Sequence, residues 1–357
     1  MNFSRFISRA ALLCTAIVGI NACSNSMGNM NMSMKDPTST AISAINYDAL
    51  FVVNGGDNTV SVINTQNNTL AATIKLQNAA FPHHLYLSPD KMTKALAVPG
   101  MDLSAGHTGG MAGMMGSVML MDAKTGATMK SRTLEAMNHN AIFSPDGKEI
   151  WTTQMMDNGT VLVLDATSLA TMKTIAVGAM PAEVTFSRDG KYAFVCNGAS
   201  NTVSVIDVAT KNVVKTIAVG KDPVGAWQGS NNVMYVDNEE GKSVTAIDAQ
   251  TLNVIRTYNL GFTPAMVATA PNGELWITDT DNGKVVFFSL TSDAKLGEIA
   301  TGLGAHAIVF SGDGKKAYIT NQAASSVSVV DVARLQPNQT ILLSWGAKPN
   351  GAVWRAR

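Results

Sequence analysis

One unit of about 40 residues is repeated along most of the chain. The segment that starts at Lys191, KYAFVCNGASNTVSVIDVATKNVVKTIAVG, recurs as KKAYITNQAASSVSVVDVARLQPNQTILLSWG from Lys315 and, less closely, as ALFVVNGGDNTVSVINTQNNTLAATIKLQ from Ala49. Four weaker copies bring the number to seven, and they start near Lys94, Glu149, Val233 and Glu274. A single unit of this kind cannot bury its own apolar face, so seven in tandem predict a β-propeller with one unit per blade.

Each unit contains the patterns of four short strands, here named A to D in chain order. Strand A ends in Phe-Ser-x-Asp-Gly, as in AIFSPDG at 141–147, and Asp-Gly favours a hairpin turn. Strand B is an apolar run such as YAFVCN, and strand C, as in TVSVID at 202–207, alternates apolar and small polar residues with the period of a strand. Strand D follows a turn that begins with aspartate. We expect Asp165, Asp207 and Asp248 to bond the amides of those turns, which makes them structural.

The two ends of the repeat array complement each other. Residues 47–77 supply strands B, C and D of a first blade but no strand A, whereas KPNGAVWRAR at 348–357 is a strand A with no strand B after it. Placing this segment in the first blade closes the ring and removes two open sheet edges. The predicted fold is therefore an all-β, seven-bladed β-propeller of four-stranded blades over residues 45–357, closed by the C-terminal strand joining the N-terminal blade.

The strand B motif resembles that of the YVTN family of β-propellers, which are seven-bladed bacterial repeat proteins. It is written FVVN at 51–54, YVDN at 235–238 and YITN at 318–321. The resemblance covers everything after residue 44 and implies the propeller fold. It says little about function, because the signature residues are strand and turn residues.

The first 22 residues have the pattern of an export signal. Arg5 and Arg9 precede an apolar run at 10–20, and small residues follow it. The apolar run is too short to span a membrane. Residues 1–22 are therefore predicted to be a signal peptide.

The end of this signal resembles the lipobox of bacterial lipoproteins. The sequence Ile-Asn-Ala-Cys at 20–23 implies cleavage before Cys23 and lipidation of its thiol, with a plain secretory signal or an uncleaved anchor as the alternatives. Ser24 follows the cysteine where aspartate would indicate retention in the inner membrane. We therefore expect a protein of the cell envelope that faces the periplasm, held by its lipid anchor alone and more readily at the outer membrane. Residues 23–44 carry no strand pattern and are predicted to be a methionine-rich flexible tether.

The composition excludes some partners and leaves methionine to be explained. Charged residues make up 15 % of the chain and the formal net charge is zero, so the basic surface of a nucleic-acid-binding protein is missing. Methionine occurs 20 times, more than an ordinary core requires, because its flexible side chain specifies packing poorly. Of the three cysteines, Cys14 lies in the signal and Cys23 would carry lipid, which leaves Cys196 as a buried small apolar residue. We expect a monomer.

Histidines recur at one position of strand A. Each strand A starts at one end of the axial channel, here called the mouth, and the side chain after a proline-type position faces it. From the first blade to the seventh, this position holds Asn350, His83, His139, Ala182, Val224, Ala265 and His306. The three histidines and Asn350 form a contiguous arc. His84 follows in its strand and His107 lies in a loop on the same face, so all five histidines of the chain are predicted to gather at the mouth.

The loop that carries His107 is unlike any other part of the chain. It runs over residues 99–116, PGMDLSAGHTGGMAGMMG, between strands B and C of the second blade. Its glycines favour flexibility, and its methionines are soft ligands. We expect it to close over the channel mouth and to contribute Met111, Met114 and Met115 to a site there.

Imidazole combined with thioether sulfur is the ligand set suited to copper, above all Cu(I). Further methionines lie near the predicted mouth, namely Met137, Met155, Met156, Met180 and Met266. The tether sequence SMGNMNMSM at 26–34 resembles the methionine motifs of copper transporters and periplasmic copper-resistance proteins.

These observations favour a copper-binding lipoprotein that sequesters copper, or delivers it to a periplasmic copper protein. The candidate ligands are His83, His84, His107, His139, His306, Met111, Met114 and Met115. One alternative is a metal-independent scaffold for protein or cell-wall binding.

A second alternative is a copper-dependent oxidoreductase. The histidine arc resembles a reduced version of the copper centre of nitrous oxide reductase, which has more histidines and an additional cupredoxin domain. An enzymatic role is not favoured, because nucleophile-elbow, zincin and phosphate-loop motifs are missing from the sequence. Glu183 is the only carboxylate at the two mouth positions of the strands, which does not favour an acid–base pair.

Overall fold

The chain forms short antiparallel strands grouped into seven separate sheets. The computed structural model describes residues 35–103 and 113–357, and these ranges contain no helix. Accordingly, no helix that could span a membrane occurs within them. In chain order the strands are β1 Thr38–Ser39, β2 Ala49–Asn54, β3 Thr59–Asn64, β4 Thr69–Gln77, β5 Leu85–Leu87, β6 Thr93–Val98, β7 Ser117–Asp122, β8 Thr128–Thr133, β9 Ala141–Phe143, β10 Glu149–Gln154, β11 Thr160–Asp165, β12 Thr171–Ala176, β13 Pro181–Phe186, β14 Tyr192–Asn197, β15 Thr202–Asp207, β16 Asn212–Ala218, β17 Pro223–Gln228, β18 Val233–Asn238, β19 Ser243–Asp248, β20 Val254–Asn259, β21 Pro264–Thr269, β22 Glu274–Asp279, β23 Lys284–Ser289, β24 Lys295–Ala300, β25 Ala305–Phe310, β26 Lys316–Asn321, β27 Ser326–Asp331, β28 Gln336–Leu342 and β29 Pro349–Arg355.

The seven sheets are the blades of a β-propeller, which confirms the predicted fold class. Blades two to seven each consist of four consecutive strands, from β5–β8 to β25–β28. The first blade has the order β1-β4-β3-β2-β29. Strand β29 pairs with β2, with Ala352 opposite Val52, so the C-terminal strand closes the ring as predicted.

Part of the predicted tether is paired with the propeller. Thr38 and Ser39 form β1 on the outer edge of β4. Before it, the Asp36 carboxylate accepts hydrogen bonds from the backbone and hydroxyl of Thr133 in the second blade, both at 2.8 Å. Beyond it, the Ile42 N–H donates to the carbonyl of Thr125, also in the second blade. The expectation of a strandless segment up to residue 44 therefore differs from the structure, in which residues 36–45 cross the first two blades.

The apolar core lies between neighbouring blades. Strands B and C are buried along their length, whereas strand D exposes most of its side chains. Phe194 and Cys196 of β14, for example, pack against Met234 and Val236 of the next blade. Cys196 is fully buried, and its burial raises the pKa of the thiol, as expected for a structural residue.

The aspartates that begin the C-to-D turns have the structural role predicted for them. The Asp165 carboxylate accepts hydrogen bonds from the backbone and hydroxyl of Ser168, at 2.7 and 2.8 Å. Asp207 and Asp248 bond Thr210 and Thr251 in the same way. These backbone hydrogen bonds lower the pKa of each carboxyl.

A buried asparagine ends strand B in four of the blades and joins it to strand C. In each case its side-chain amide donates to two hydroxyl groups of strand C, at 2.8 to 3.1 Å. The residues are Asn54, Asn197, Asn238 and Asn321, and none is more than 1 % exposed. This contact explains why the last residue of the strand B motif recurs together with the Thr-Val-Ser pattern of strand C.

We expect Asn321→Ala to lower the free energy of unfolding by about 1–3 kcal/mol, because it leaves two buried hydroxyl groups without their donor. Chemical denaturation measures this change. Asn67→Ala is the control, because Asn67 is exposed and serves only its own turn. Equal stability of the two variants would contradict the role of the buried asparagine.

Candidate functional site

A β-bulge interrupts strand A where it reaches the channel mouth. In β13, Pro181 pairs with Asn197 and Val184 with Val195, so one extra residue lies in strand A. The same shift occurs in β17, β21, β25 and β29. A bulge re-aims side chains and commonly lies next to a functional site.

The second blade shows what the bulge does. The His83 N–H donates to the carbonyl of Ala97, and the Ala97 N–H donates to the carbonyl of His84, both at 3.0 Å. Two successive residues therefore lie opposite one, and both imidazoles line the mouth. Gly351 makes room for them, because a Cβ on this residue would lie 2.8 Å from Nδ1 of His84.

The four histidines of the described chain cluster at the mouth, as predicted. His83, His84 and His139 are buried, and His306 is half-buried. The ring centroids are 4.4 Å apart for His83 and His84, 4.3 Å for His83 and His139, 5.9 Å for His83 and His306, 5.3 Å for His84 and His139, and 6.2 Å for His84 and His306.

Glu183 lies in the middle of this cluster. Its Oε1 is 2.8 Å from Nε2 of His84 and 3.3 Å from Nδ1 of His139, and the residue is 1 % exposed. Burial alone would raise the pKa of Glu183, but His84 and His139 hold it well below its usual range. A carboxylate buried against two imidazoles fixes the orientation of both rings.

The cluster forms one wall of a cavity of about 220 Å³. The opposite wall includes Glu239 and Asp281, so with Glu183 three carboxylates line the cavity. Neither lysine nor arginine is found among the described residues that line it. Burial, followed by the charges of Asp222 and Glu183, raises the pKa of Glu239 to about 8. The three carboxylates, without a described lysine or arginine beside them, favour a cationic ligand over an anionic one.

Two of the histidines, His139 and His306, lie where burial favours the neutral imidazole. Burial lowers the pKa of His139, although Glu183 opposes the shift. Burial, together with His84 and His139, lowers the pKa of His306. Both imidazoles are therefore neutral at neutral pH, which is the form that binds a metal ion.

The two predicted loop ligands that the structure describes, Met114 and Met115, do not line the cavity. Met114 is 41 % exposed and Met115 is half-buried. His107 and Met111 lie between residues 103 and 113 and are outside the described residues. Cys23, near the N-terminus, is also outside them.

Methionines near the mouth serve mainly in packing. Met137, Met155 and Met180 form one buried cluster with Leu103, and Met101 packs against it. The sulfur of Met266 accepts a hydrogen bond from the backbone N–H of Ile308 at 3.0 Å. Leu103 belongs to this cluster and also lines the cavity, so the apolar cluster borders the histidine site.

Sequence reasoning missed a buried carboxylate beside the cluster. Asp237 is fully buried and accepts a hydrogen bond from Nε1 of Trp227, whose ring is 6.4 Å from that of His84. Its pKa is raised by burial and by Glu239. The available signal was a departure from the repeat, since strand B has Cys196 or Thr320 at this position in other blades.

The architecture and the axial cavity define a seven-bladed β-propeller with a polar pocket at its mouth. Residues 155–292 match the model of a family described as YNCE-like beta-propeller. No curated protein matches the sequence.

Solved structures with the same fold are distant in sequence. The periplasmic gluconolactonase of Pseudomonas aeruginosa is 15 % identical with a TM-score of 0.70, and the match covers 87 % of this chain and 99 % of that one. The hydrazine synthase of Kuenenia stuttgartiensis is 18 % identical with a TM-score of 0.66, over 80 % of this chain and 92 % of that one. At these identities the likeness shows the fold alone.

Proposed function

We propose that the histidine cluster binds a transition-metal ion, and that the ion is copper. The observation that carries this proposal is the spacing of His83, His84 and His139, each of which offers a ligand atom within 4.8 Å of those of the other two. Two nitrogen ligands of one ion are separated by up to about 4.2 Å, since each bond is about 2.0–2.1 Å long. Small side-chain movements therefore suffice for the three to share an ion. His306 lies farther out, with its ring centroid 5.9 Å from that of His83 and 6.2 Å from that of His84, and would have to move more than the other three to become the fourth ligand.

Glu183 supports the proposal as a positioning residue. Because its carboxylate faces Nδ1 of His139, it leaves Nε2 of that ring for the ion. Metal-bound histidines commonly contact a carboxylate in this way, which fixes the tautomer and strengthens the ligand.

The choice of copper depends on the chemistry of the donors and on the sequence. Imidazole suits copper, zinc, nickel and iron, and divalent copper is bound most tightly of these in a given site. The methionines of the loop and tether favour copper further, because thioethers select Cu(I).

We also propose that the protein lies in the cell envelope, where it sequesters copper or delivers it to a periplasmic copper protein. The lipid anchor at Cys23 and the outer-membrane location belong to this proposal on the basis of the N-terminal motif alone. The contributions of His107, Met111, Met114 and Met115 likewise depend on the loop sequence.

The name of the gluconolactonase neighbour suggests a sugar lactone as an alternative ligand. The lining of the cavity does not favour the sugar acid that hydrolysis of a lactone would release, because three carboxylates face it and the described lining residues include no cation to bind an acid group. The copper proposal fits this lining better.

Metal analysis of the full-length protein, purified from copper-supplemented cells, tests the proposal. We expect about one copper ion per chain bound through imidazole nitrogen, and tighter binding of Cu(II) than of Zn(II) in competition titrations. Cu(II) and Zn(II) are suitable probes because thioether segments bind both weakly. Protein that retains no metal and binds neither ion would overturn the proposal and favour a scaffold.

We expect Glu183→Gln to weaken Cu(II) binding by about 10–100-fold, because outer contacts of this kind contribute that much to metal affinity. Competition titration with a chelator measures the change. Glu240→Gln is the matched control, since Glu240 is exposed and its ion pair within the described part of the chain is with Lys221. If Glu183→Gln binds copper as tightly as this control, Glu183 does not position the ligands.

A further inference from the structure

Two buried cationic side chains lie at the interface between the first and second blades. Lys94 of β6 is 0 % exposed and Arg355 of β29 is 3 % exposed. The Nζ of Lys94 and the Nε and Nη1 of Arg355 have no hydrogen-bond acceptor among the described residues. Because β29 begins at the mouth and Arg355 ends it, this pair lies at the opposite end of the blades.

The pairing of strands brings the two side chains together. Arg355 lies opposite Ala49, which is on the same face of β2 as Phe51. The Nζ of Lys94 is 3.3 Å from the centre of the Phe51 ring, so it contacts that face from the second blade. Burial lowers the pKa of Lys94 to about 7, and the charge of Arg355 contributes to this shift.

Neither cation occurs at these positions in the other blades. The second residue of strand B, which is Lys94 in the second blade, is otherwise Leu50, Ile150, Ala193, Met234, Leu275 or Ala317. If the proline-type position of strand A is counted as residue one, residue seven of the first blade is Arg355. In the other blades residue seven is Ser88, Ser144, Ser187, Gly229, Ala270 or Ser311. Two exceptions to the repeat therefore coincide at one interface.

No carboxylate of the described residues bonds either cation. Asp122 is the carboxylate whose negative charge acts on Lys94 and raises its pKa, against the larger effect of burial. Its Oδ1 accepts three hydrogen bonds within its own turn, from Lys124 N–H and from the N–H and hydroxyl of Thr125, at 2.7 to 3.0 Å. The face of the Phe51 ring gives Lys94 a cation–π contact, but neither cation has a hydrogen-bond acceptor among the described residues. A bound anion supplies an acceptor to both.

We propose that Lys94 and Arg355 form a binding site for a small inorganic anion of the size of chloride, held between the first and second blades. Nζ of Lys94 and Nε and Nη1 of Arg355 are the donors. The anion joins the C-terminal strand β29 to the second blade and so stabilises the closed ring. This site is independent of the metal proposal, because it shares no residue with the cavity at the mouth.

Crystals of the full-length protein grown in sodium bromide test the site directly. Bromide gives an anomalous signal, and we expect a peak within hydrogen-bond distance of both Lys94 and Arg355. Bromide peaks confined to the protein surface would mean an adventitious ion only and would overturn the proposal.

Thermal unfolding provides a second, independent test. At constant ionic strength, replacing methanesulfonate with about 0.2 M chloride should raise the unfolding midpoint of the wild type by a few degrees. Lys94→Leu and Arg355→Ser, which install residue types found in other blades, should lose this response. In the absence of chloride, both variants should unfold at or above the midpoint of the wild type. The reason is that each variant removes a buried cation that lacks a hydrogen-bond acceptor.

Lys316→Leu is the control for these variants. Its Nζ donates to the carbonyl of Thr65 and to Oδ1 of Asn68, at 3.0 and 3.1 Å, so this lysine has acceptors of its own. The control should keep the full chloride response. Equal chloride responses in the wild type, Lys94→Leu and Arg355→Ser would contradict the proposed site.

Discussion

Replacing both His83 and His139 with asparagine should reduce Cu(II) affinity by roughly 10⁴-fold. Structural metal sites with four protein ligands bind with about 10–16 kcal/mol, so each ligand contributes about 3 kcal/mol and each tenfold loss of affinity corresponds to about 1.4 kcal/mol. The variant should still fold, because the equivalent residue of the first blade is already an asparagine, Asn350. Copper content after purification and competition titration measure the loss.

The matched control changes the same strand position in a blade without histidine. Ala265 lines the same cavity from the sixth blade. Ala265→Asn therefore introduces the same side chain at the mouth while leaving all four described histidines in place, and we expect it to bind copper nearly as the wild type does. If the double histidine variant retains as much copper as Ala265→Asn, the metal is not bound at the mouth and the methionine segments become the candidates.

Removing residues 349–357 should abolish cooperative unfolding of the propeller. This deletion removes β29, whose first three residues and last residue are buried. It leaves β2 with an unpaired edge and also takes away the packing of β29 against β5 and β25 in the adjacent blades. Exposed strand edges promote association between chains, so we expect an aggregating product. Thermal unfolding followed by circular dichroism, together with size-exclusion chromatography, measures the outcome.

A chain that starts at residue 45 is the control for this deletion. It lacks β1, which pairs with the outer edge of β4 over two residues and whose Ser39 N–H donates to the hydroxyl of Thr128 in the second blade. We expect it to remain monomeric and to unfold cooperatively, at a somewhat lower temperature because the contacts of Asp36 with Thr133 are lost. A β29 deletion that unfolds as cooperatively as this control would show that the six complete blades hold the ring although the first blade lacks its strand A.

The fold was predictable because the repeat contains the same information several times. The Asp-Gly turns, the alternation of strand C and the asparagine that ends strand B all recur, so an error in one unit is corrected by the others. Ring closure followed from a strand A without a partner at one end and a blade without a strand A at the other, and the pairing of β29 with β2 confirms it. Strand β1 was missed because two residues carry no detectable period.

The site was predictable only in part, because the repeat does not reveal bulges. Strict alternation would place one of His83 and His84 away from the channel, yet the extra residue in strand A brings both to it. The equivalent bulge in β13 lies at Glu183, which belongs to the cluster although the sequence does not favour an acid–base role for it. Asp237 could have been found as a departure from the repeat, but its proximity to His84 through Trp227 depends on side-chain packing.

The pairing of β2 with β29 also has a kinetic consequence. Most strands pair with a neighbour in the sequence, so a blade can form soon after its own residues are available. The first blade is different, since Val52 and its partner Ala352 are separated by the entire length of the other six blades. Closing so long a loop has a high entropic cost and is slow compared with local pairing. The first blade to be synthesised should therefore be the last to be completed, with β2 accessible to other chains until β29 arrives.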